Sequence, residues 1–397
     1  MSSQKSKIYN FVILLFSILL SLYLCEGYLS YLKYKKSLEY KIKVYKKETG
    51  KQYDTRSVLE VYNDEKKNED VAIRYLPQIL LERKKGEVGN LDLFPLSGIS
   101  NIKTIFCNEE GFFSSYISDR YGFNNPDEVW NKKEIDTIII GDSFVHGMCV
   151  NRPNDIPSVI RNLTKKNVIN LGYRGNGPLI EYATLREYLF KPVKNLIWVY
   201  YENDLEDLHN ELKNETLKNY IKNDNFSQNL LLKQNNINLL NKKLIDDLLI
   251  VETNTVIQNK KNMKTKYKIL KFIRFDNFKS FITSSFKTKE INEVNLPYGE
   301  FKGIIKSVKK ITNKENINLY FVYLPSINNY LSKKKNSQHE KITRIIKELN
   351  IDLIDLHKNF FEKNDNPPKY YTFNIGAHLN TMGYKEVSKF IAKKVYD

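Results

Sequence analysis

Four separated stretches of this sequence carry the side chains that acyl-transfer chemistry needs. They are Gly141-Asp142-Ser143-Phe144, the loop Asn170-Leu171-Gly172-Tyr173-Arg174-Gly175-Asn176-Gly177-Pro178, the pair Asn203-Asp204, and His378-Leu379-Asn380 followed by Gly383. A serine hydroxyl is a weak nucleophile until a base takes its proton, so Ser143 needs an imidazole delivered from elsewhere, and His378 is the candidate. An acyl-transfer intermediate develops an oxyanion, which needs donors aimed at it. Gly175 offers an N–H with no side chain in the way, the Asn203 amide offers a second, and the Ser143 N–H a third. A plainer reading has Asp142 or Ser143 merely capping a helix. Tyr173, Arg174, Asp142 and His146 are placed to contact substrate, and each also reads as loop or helix packing. Asp204 reads as a loop stabiliser. No His, Cys and carboxylate spacing resembles a metal site, and no cofactor is expected.

The elements that must position these groups follow a strand–loop–helix rhythm. Residues 137–140, 168–171, 196–201, 319–323 and 353–355 are short apolar, β-branched or aromatic runs and are expected as buried strands. Residues 156–163, 180–189, 338–349 and 382–395 carry helical apolar spacing. Such alternation predicts an α/β protein with a parallel sheet and helices on both faces. All four chemical stretches then fall at strand ends or helix starts along one edge of the sheet, where open α/β folds place their sites. Between residues 205 and 297 the alternation stops and a Lys-, Asn- and Leu-rich, mostly helical insertion is expected. It is either a lid or a packing element.

At this point the sequence resembles the SGNH/GDSL hydrolase family, from residue 136 to 395 with the insertion excepted. The Gly-Asp-Ser block falls on residues 141–143, the oxyanion glycine on Gly175, the oxyanion asparagine on Asn203, and the histidine block on His378. The resemblance implies a flavodoxin-like three-layer α/β/α fold and hydrolysis of ester-linked acyl groups. Exported members with a leading membrane span resemble enzymes that trim or move O-acetyl groups on surface glycans. The sequence departs from the family at one place: the aspartate usually found three residues before the histidine is Ile375. A backbone carbonyl or a nearby polar side chain is therefore expected to orient His378, giving a Ser–His dyad. Transfer of the acyl group to a sugar hydroxyl instead of water stays open, as does a non-catalytic glycan-binding or assembly role.

The rest of the 397 residues supplies context. Lys5 and Lys7 precede a run dominated by Phe, Val, Ile, Leu and Tyr, and residues 8–29 approach the ~20 apolar residues a bilayer span needs. We read residues 1–31 as a cytoplasmic tip and uncleaved signal anchor, with the large domain on the periplasmic or extracellular side. Residues 32–70 read as a stalk, 71–130 as an irregular β-containing preface packed on the core, and 131–397 as the hydrolase domain. Cys25 lies at the membrane edge, which leaves Cys107 and Cys149 either to pair in an oxidising compartment or to stay as buried thiols. The net charge of +17 reflects either attraction to anionic partners or a Lys-rich codon usage. No basic run is interleaved with stacking aromatics, so no nucleic-acid partner is expected. The expected partners are an acylated carbohydrate or other ester and the membrane. The sequence leaves the oligomeric state open.

Overall fold

The computed structural model describes residues 2–74, 77–81, 93–261, 271–291, 296–331 and 337–397. They divide into two compact units, Met1–Tyr53 with Thr253–Asn295 and Asp54–Glu252 with Leu296–Asp397.

The first unit is helical. Its leading helix, α1 (Ser2–Lys35), contains a stretch of mean hydropathy 2.3 and, among the described residues, is the one helix long and apolar enough to cross a membrane. α2 (Leu38–Thr49) begins at Ser37, whose hydroxyl accepts the Tyr40 N–H, and ends at Gly50 in the left-handed conformation.

The second unit opens with α3 (Val58–Glu65), started by a reciprocal capping box between Ser57 and Glu60. The residues expected as a stalk are thus largely helical. β1 (Val71–Ile73), the short helix α4 (Pro77–Leu81), β2 (Lys103–Ile105) and β3 (Ser115–Ile117) follow. The three strands make a small sheet, β1 parallel to β2 and β2 antiparallel to β3. Residues 75, 76 and 82–92 of the expected preface lie outside the described residues.

The main sheet has β4 (Ile135–Gly141), β5 (Val168–Asn170), β6 (Val193–Tyr201), β7 (Asn318–Leu324) and β8 (Asp352–Asp355), all parallel, in the order β5-β4-β6-β7-β8. Read from the first strand of this sheet, that is the 2-1-3-4-5 order of flavodoxin-like folds. The chain reverses direction across the sheet between β4 and β6, which makes their carboxyl ends the natural crevice.

Side chains alternate across each strand, so each face gathers its own core. Leu196, Trp198 and Tyr200 of β6 face a layer containing α7 (Pro178–Tyr188), α8 (Asp204–Glu211), α9 (Glu215–Lys222), α12 (Tyr298–Lys314) and α14 (Ser337–Glu348). Ile197 and Val199 face α5 (Ser143–His146), α6 (Ile156–Thr164) and α15 (Thr381–Tyr396). Trp198, Tyr200, Ile197 and Val199 are all fully buried, and an aliphatic side chain such as Ile197 or Val199 contributes roughly 1.5–3 kcal/mol. Two further helices, α10 (Gln234–Lys261) and α11 (Asp276–Ile291), lie in the insertion, and α13 (Asn328–Leu331) follows β7.

Candidate active site

Ser143 begins α5 directly after β4, with Asp142 as the cap: its Oδ1 accepts the Phe144 N–H at 2.9 Å. Gly141 is needed here, because a Cβ would stand 2.5 Å from Val145 Cγ2 and 2.9 Å from the Val199 carbonyl. His378 enters from the segment before α15, pinned on one side by a hydrogen bond from the Thr372 N–H to its own carbonyl at 3.0 Å. The fold closes the 235-residue gap: Ser143 Oγ lies 3.0 Å from His378 Nε2. The imidazole ring centre lies 5.1 Å from that of Phe144.

The expectation that His378 lacks a carboxylate is overturned. Glu109 brings both its oxygens to His378 Nδ1, at 3.0 and 3.1 Å. It comes from the loop joining β2 to β3, 269 residues before the histidine. That loop is a hairpin tip built for rigidity. Phe106 N–H donates to the Ser114 carbonyl and Ser114 N–H to the Cys107 carbonyl, both at 2.9 Å, and Gly111 N–H donates to Asn108 Oδ1 at 2.8 Å. Asn108 Nδ2 reaches back to the Asp54 carbonyl at 2.8 Å. The neighbouring Glu110 accepts from the Thr381 N–H at 3.0 Å and its hydroxyl at 2.7 Å, fastening the tip to the start of α15. Burial pushes the Glu110 carboxyl up, and the Glu109 charge adds to this. Cys107 and Cys149 form a disulfide with Cα atoms 5.0 Å apart, which ties the hairpin to the segment after α5.

With a carboxylate on Nδ1, the neutral ring carries its hydrogen there and leaves Nε2 to accept the serine proton. Asp142 Oδ2 lies 3.1 Å from the same hydroxyl. Burial pushes the Asp142 carboxyl up, against the Phe144 N–H bond and His378, which draw it down.

The loop carrying Gly175 is held from two sides. The Glu211 carboxyl accepts N–H groups of Gly177 at 2.6 Å, Leu179 at 2.9 Å and Ile180 at 3.4 Å. On the other side the Arg174 N–H donates to His146 Nδ1 at 3.0 Å, which leaves Nε2 as the protonated nitrogen facing Tyr116 Oη at 2.8 Å. Gly175 has φ +81°, the left-handed region that suits glycine. The buried Asp204 accepts the Tyr201 N–H at 2.9 Å, and Asn203 donates to Asp207 at 2.6 Å. An amide nitrogen has two hydrogens, so Asp207 occupies one of them. Burial, with Asp142 and the neighbouring acids, pushes Glu181 up; burial, with Glu181, does the same to Asp204.

Two of the residues placed to contact substrate in the sequence reading are buried. His146 is fully buried, with ring centres 4.3 Å from Phe106 and 4.6 Å from Tyr173, and burial pushes its pKa down to about 3. Tyr173 is buried against it. Both are loop-packing residues, and apolar surroundings explain why. Glu202 is taken up by Tyr323 Oη at 2.9 Å and Asn329 Nδ2 at 2.6 Å. Arg174 is half-buried, and desolvation lowers its guanidinium pKa. His209 is exposed, and His357 Nδ1 bonds Tyr330 Oη at 2.8 Å. Among the described residues, no group of three or more His, Cys, Asp or Glu side chains is placed to hold a metal ion.

No protein-family model matches the sequence, and no curated protein matches it. Among solved structures, the chain is similar to a candidate lipolytic protein of the G-D-S-L family from Desulfitobacterium hafniense DCB-2. Identity is 14%, the match covers 66% of this chain and 99% of that one, and the TM-score is 0.32. It is also similar to an acetyl xylan esterase, AlAXEase, at 15% identity, covering 66% of this chain and 100% of that one with a TM-score of 0.35.

Proposed function

We propose that this protein is a serine esterase in which Ser143, His378 and Glu109 form a catalytic triad. What supports the reading is the single observation that one imidazole has a serine hydroxyl at 3.0 Å on Nε2 and a carboxylate at 3.0 Å on Nδ1. Ser143 Oγ attacks the ester carbonyl carbon and gives its proton to His378 Nε2. The ionised Glu109 stabilises the imidazolium so formed. The amides of Ser143 and Gly175 and the second hydrogen of the Asn203 side chain stabilise the oxyanion. The leaving alcohol takes the proton from Nε2 as its C–O bond breaks. A water then repeats the sequence on the acyl-enzyme, releasing the acid and restoring Ser143.

The substrate we infer is an O-acetyl or similar acyl ester of a surface glycan, with α1 anchoring an exported catalytic domain. The family resemblance and the apolar α1 support this. A non-catalytic role would fit an imidazole without a carboxylate partner, and Glu109 at 3.0 Å from His378 Nδ1 speaks against it. The test is hydrolysis of p-nitrophenyl acetate by wild type, Ser143→Ala and His378→Ala. A rate above background that both substitutions abolish is expected; equal rates for all three would overturn the reading. Adding a sugar acceptor and following acyl-sugar against free acid separates transfer from hydrolysis.

A further inference from the structure

We propose that residues 271–291, at the far end of the insertion, form a second membrane contact that lies in the lipid headgroup region beside α1. The inference goes beyond the esterase reading and rests on α1 being a membrane span.

The argument starts at Glu26. It lies near the carboxyl end of the 8–29 segment, which puts a carboxylate at the edge of the hydrocarbon if that segment spans it. Such a group is costly there unless it is hydrogen-bonded. In the structure Glu26 is fully buried although the apolar residues before it are exposed. What covers it is the start of α11: Glu26 accepts the Asn277 N–H at 3.2 Å, the Asn277 side-chain amide at 2.8 Å and the Phe278 N–H at 2.8 Å. Asn277 also donates to Ser30 Oγ at 3.0 Å and accepts from Lys33 Nζ at 3.3 Å. The first turn of α11 is therefore fixed at the depth of Glu26.

The residues just before that turn reach further towards the apolar run. Tyr23, one helical turn inward of Glu26, has its ring centre 4.5 Å from Phe275 and 5.9 Å from Phe272. A tyrosine at this level matches the aromatic belts of membrane boundaries. Around the same segment Ile273 is 53% exposed and Ile282 38%, and the exposed cations Arg274 and Lys279 lie among them. Apolar side chains left in the open beside Lys and Arg, at a fixed depth next to a span, are the composition of a segment lying in the interface plane. The lysine and arginine stems reach outward to phosphates while the isoleucines enter the acyl boundary. The partner is thus the bilayer itself, named by continuity with α1.

The test uses the full chain in proteoliposomes with Cys25→Ser, so that a single introduced cysteine can carry a nitroxide label. Ile273→Cys and Ile282→Cys report on the segment, and Leu15→Cys reports on the span. The expected result is that oxygen relaxes the labels at 273 and 282 more than a water-soluble nickel complex does, and the label at 15 more strongly still. Labels at 273 and 282 open to nickel, with 15 in lipid, would overturn the inference and leave the anchor standing. Labels at 273 and 282 shielded from both reagents and broadened by dipolar coupling would mean a second copy covers the face, which also overturns it. All three open to nickel would remove the anchor and the inference together.

Discussion

Replacing Glu109 by glutamine is the perturbation that probes the proposed triad most finely. Both carboxylate oxygens face His378 Nδ1, at 3.0 and 3.1 Å, and the two side chains are 25% and 16% exposed. A hydrogen bond to a charged group is worth about 1.5–3 kcal/mol, which is about 10- to 150-fold in rate when the transition state carries the imidazolium. Glu109→Ala lets water reach Nδ1, and the partial exposure of the pair puts its loss at the lower end, roughly 10- to 100-fold. Glutamine is the harsher change. If its amide nitrogen faces Nδ1, the ring must put its hydrogen on Nε2 and can no longer accept the serine proton, a defect worth about 10⁴ in serine proteases. The expected order of kcat is therefore wild type, then Ala, then Gln, with KM for p-nitrophenyl acetate nearly constant. Glu110→Gln, which touches Thr381 and not the imidazole, serves as the control and should retain most of kcat. If Glu109→Gln keeps kcat within threefold of wild type in folded protein, Glu109 is not part of the machinery.

Three further outcomes follow from the same geometry. Opening the Cys107–Cys149 bridge, 42 residues apart in sequence, removes a loop-closure constraint of about 4 kcal/mol, so Cys149→Ser should lower Tm and reduce kcat through a looser Glu109; an unchanged kcat would uncouple the hairpin from catalysis. His146 stays neutral in the fold down to about 3, whereas the unfolded chain takes up its proton below ~6.5. Its contribution to stability is thus present above pH 6.5 and lost as pH falls towards 3, by about 1.4 kcal/mol per unit, and denaturant melts should show a shallower acid slope for His146→Gln than for wild type. Glu211→Ala strands three buried N–H donors at roughly 1–3 kcal/mol each, so it should lower Tm and, by loosening the Gly175 loop, lower kcat more than it raises KM.

The sheet was legible because buried parallel strands write themselves as unbroken apolar runs: the expected 196–201 lies within β6 and the expected 319–323 within β7. The proposed nucleophile Ser143 and base His378 were legible for a different reason, since both stand at the ends of such elements with glycines beside them. Glu109 was not, because nothing in its local pattern connects it with a histidine 269 residues away. One signal was available. Asn108-Glu109-Glu110-Gly111 is a turn sequence directly after Cys107, and a pairing of Cys107 with Cys149 would carry that turn towards Ser143. His146 misled in the opposite direction: three residues from Ser143 it looks like a pocket group, and only the ring contacts with Phe106 and Tyr173 reveal it as buried support. Burial is set by tertiary neighbours that local spacing does not encode.

The proposed triad is tested most directly by covalent trapping. Folded wild-type protein incubated with a fluorophosphonate probe should gain one adduct, mapped by peptide mass spectrometry to Ser143. His378→Ala should label far more slowly, and Glu109→Gln should lie between the two. A folded wild type that takes up no label, or a label on any residue other than Ser143, would contradict the account.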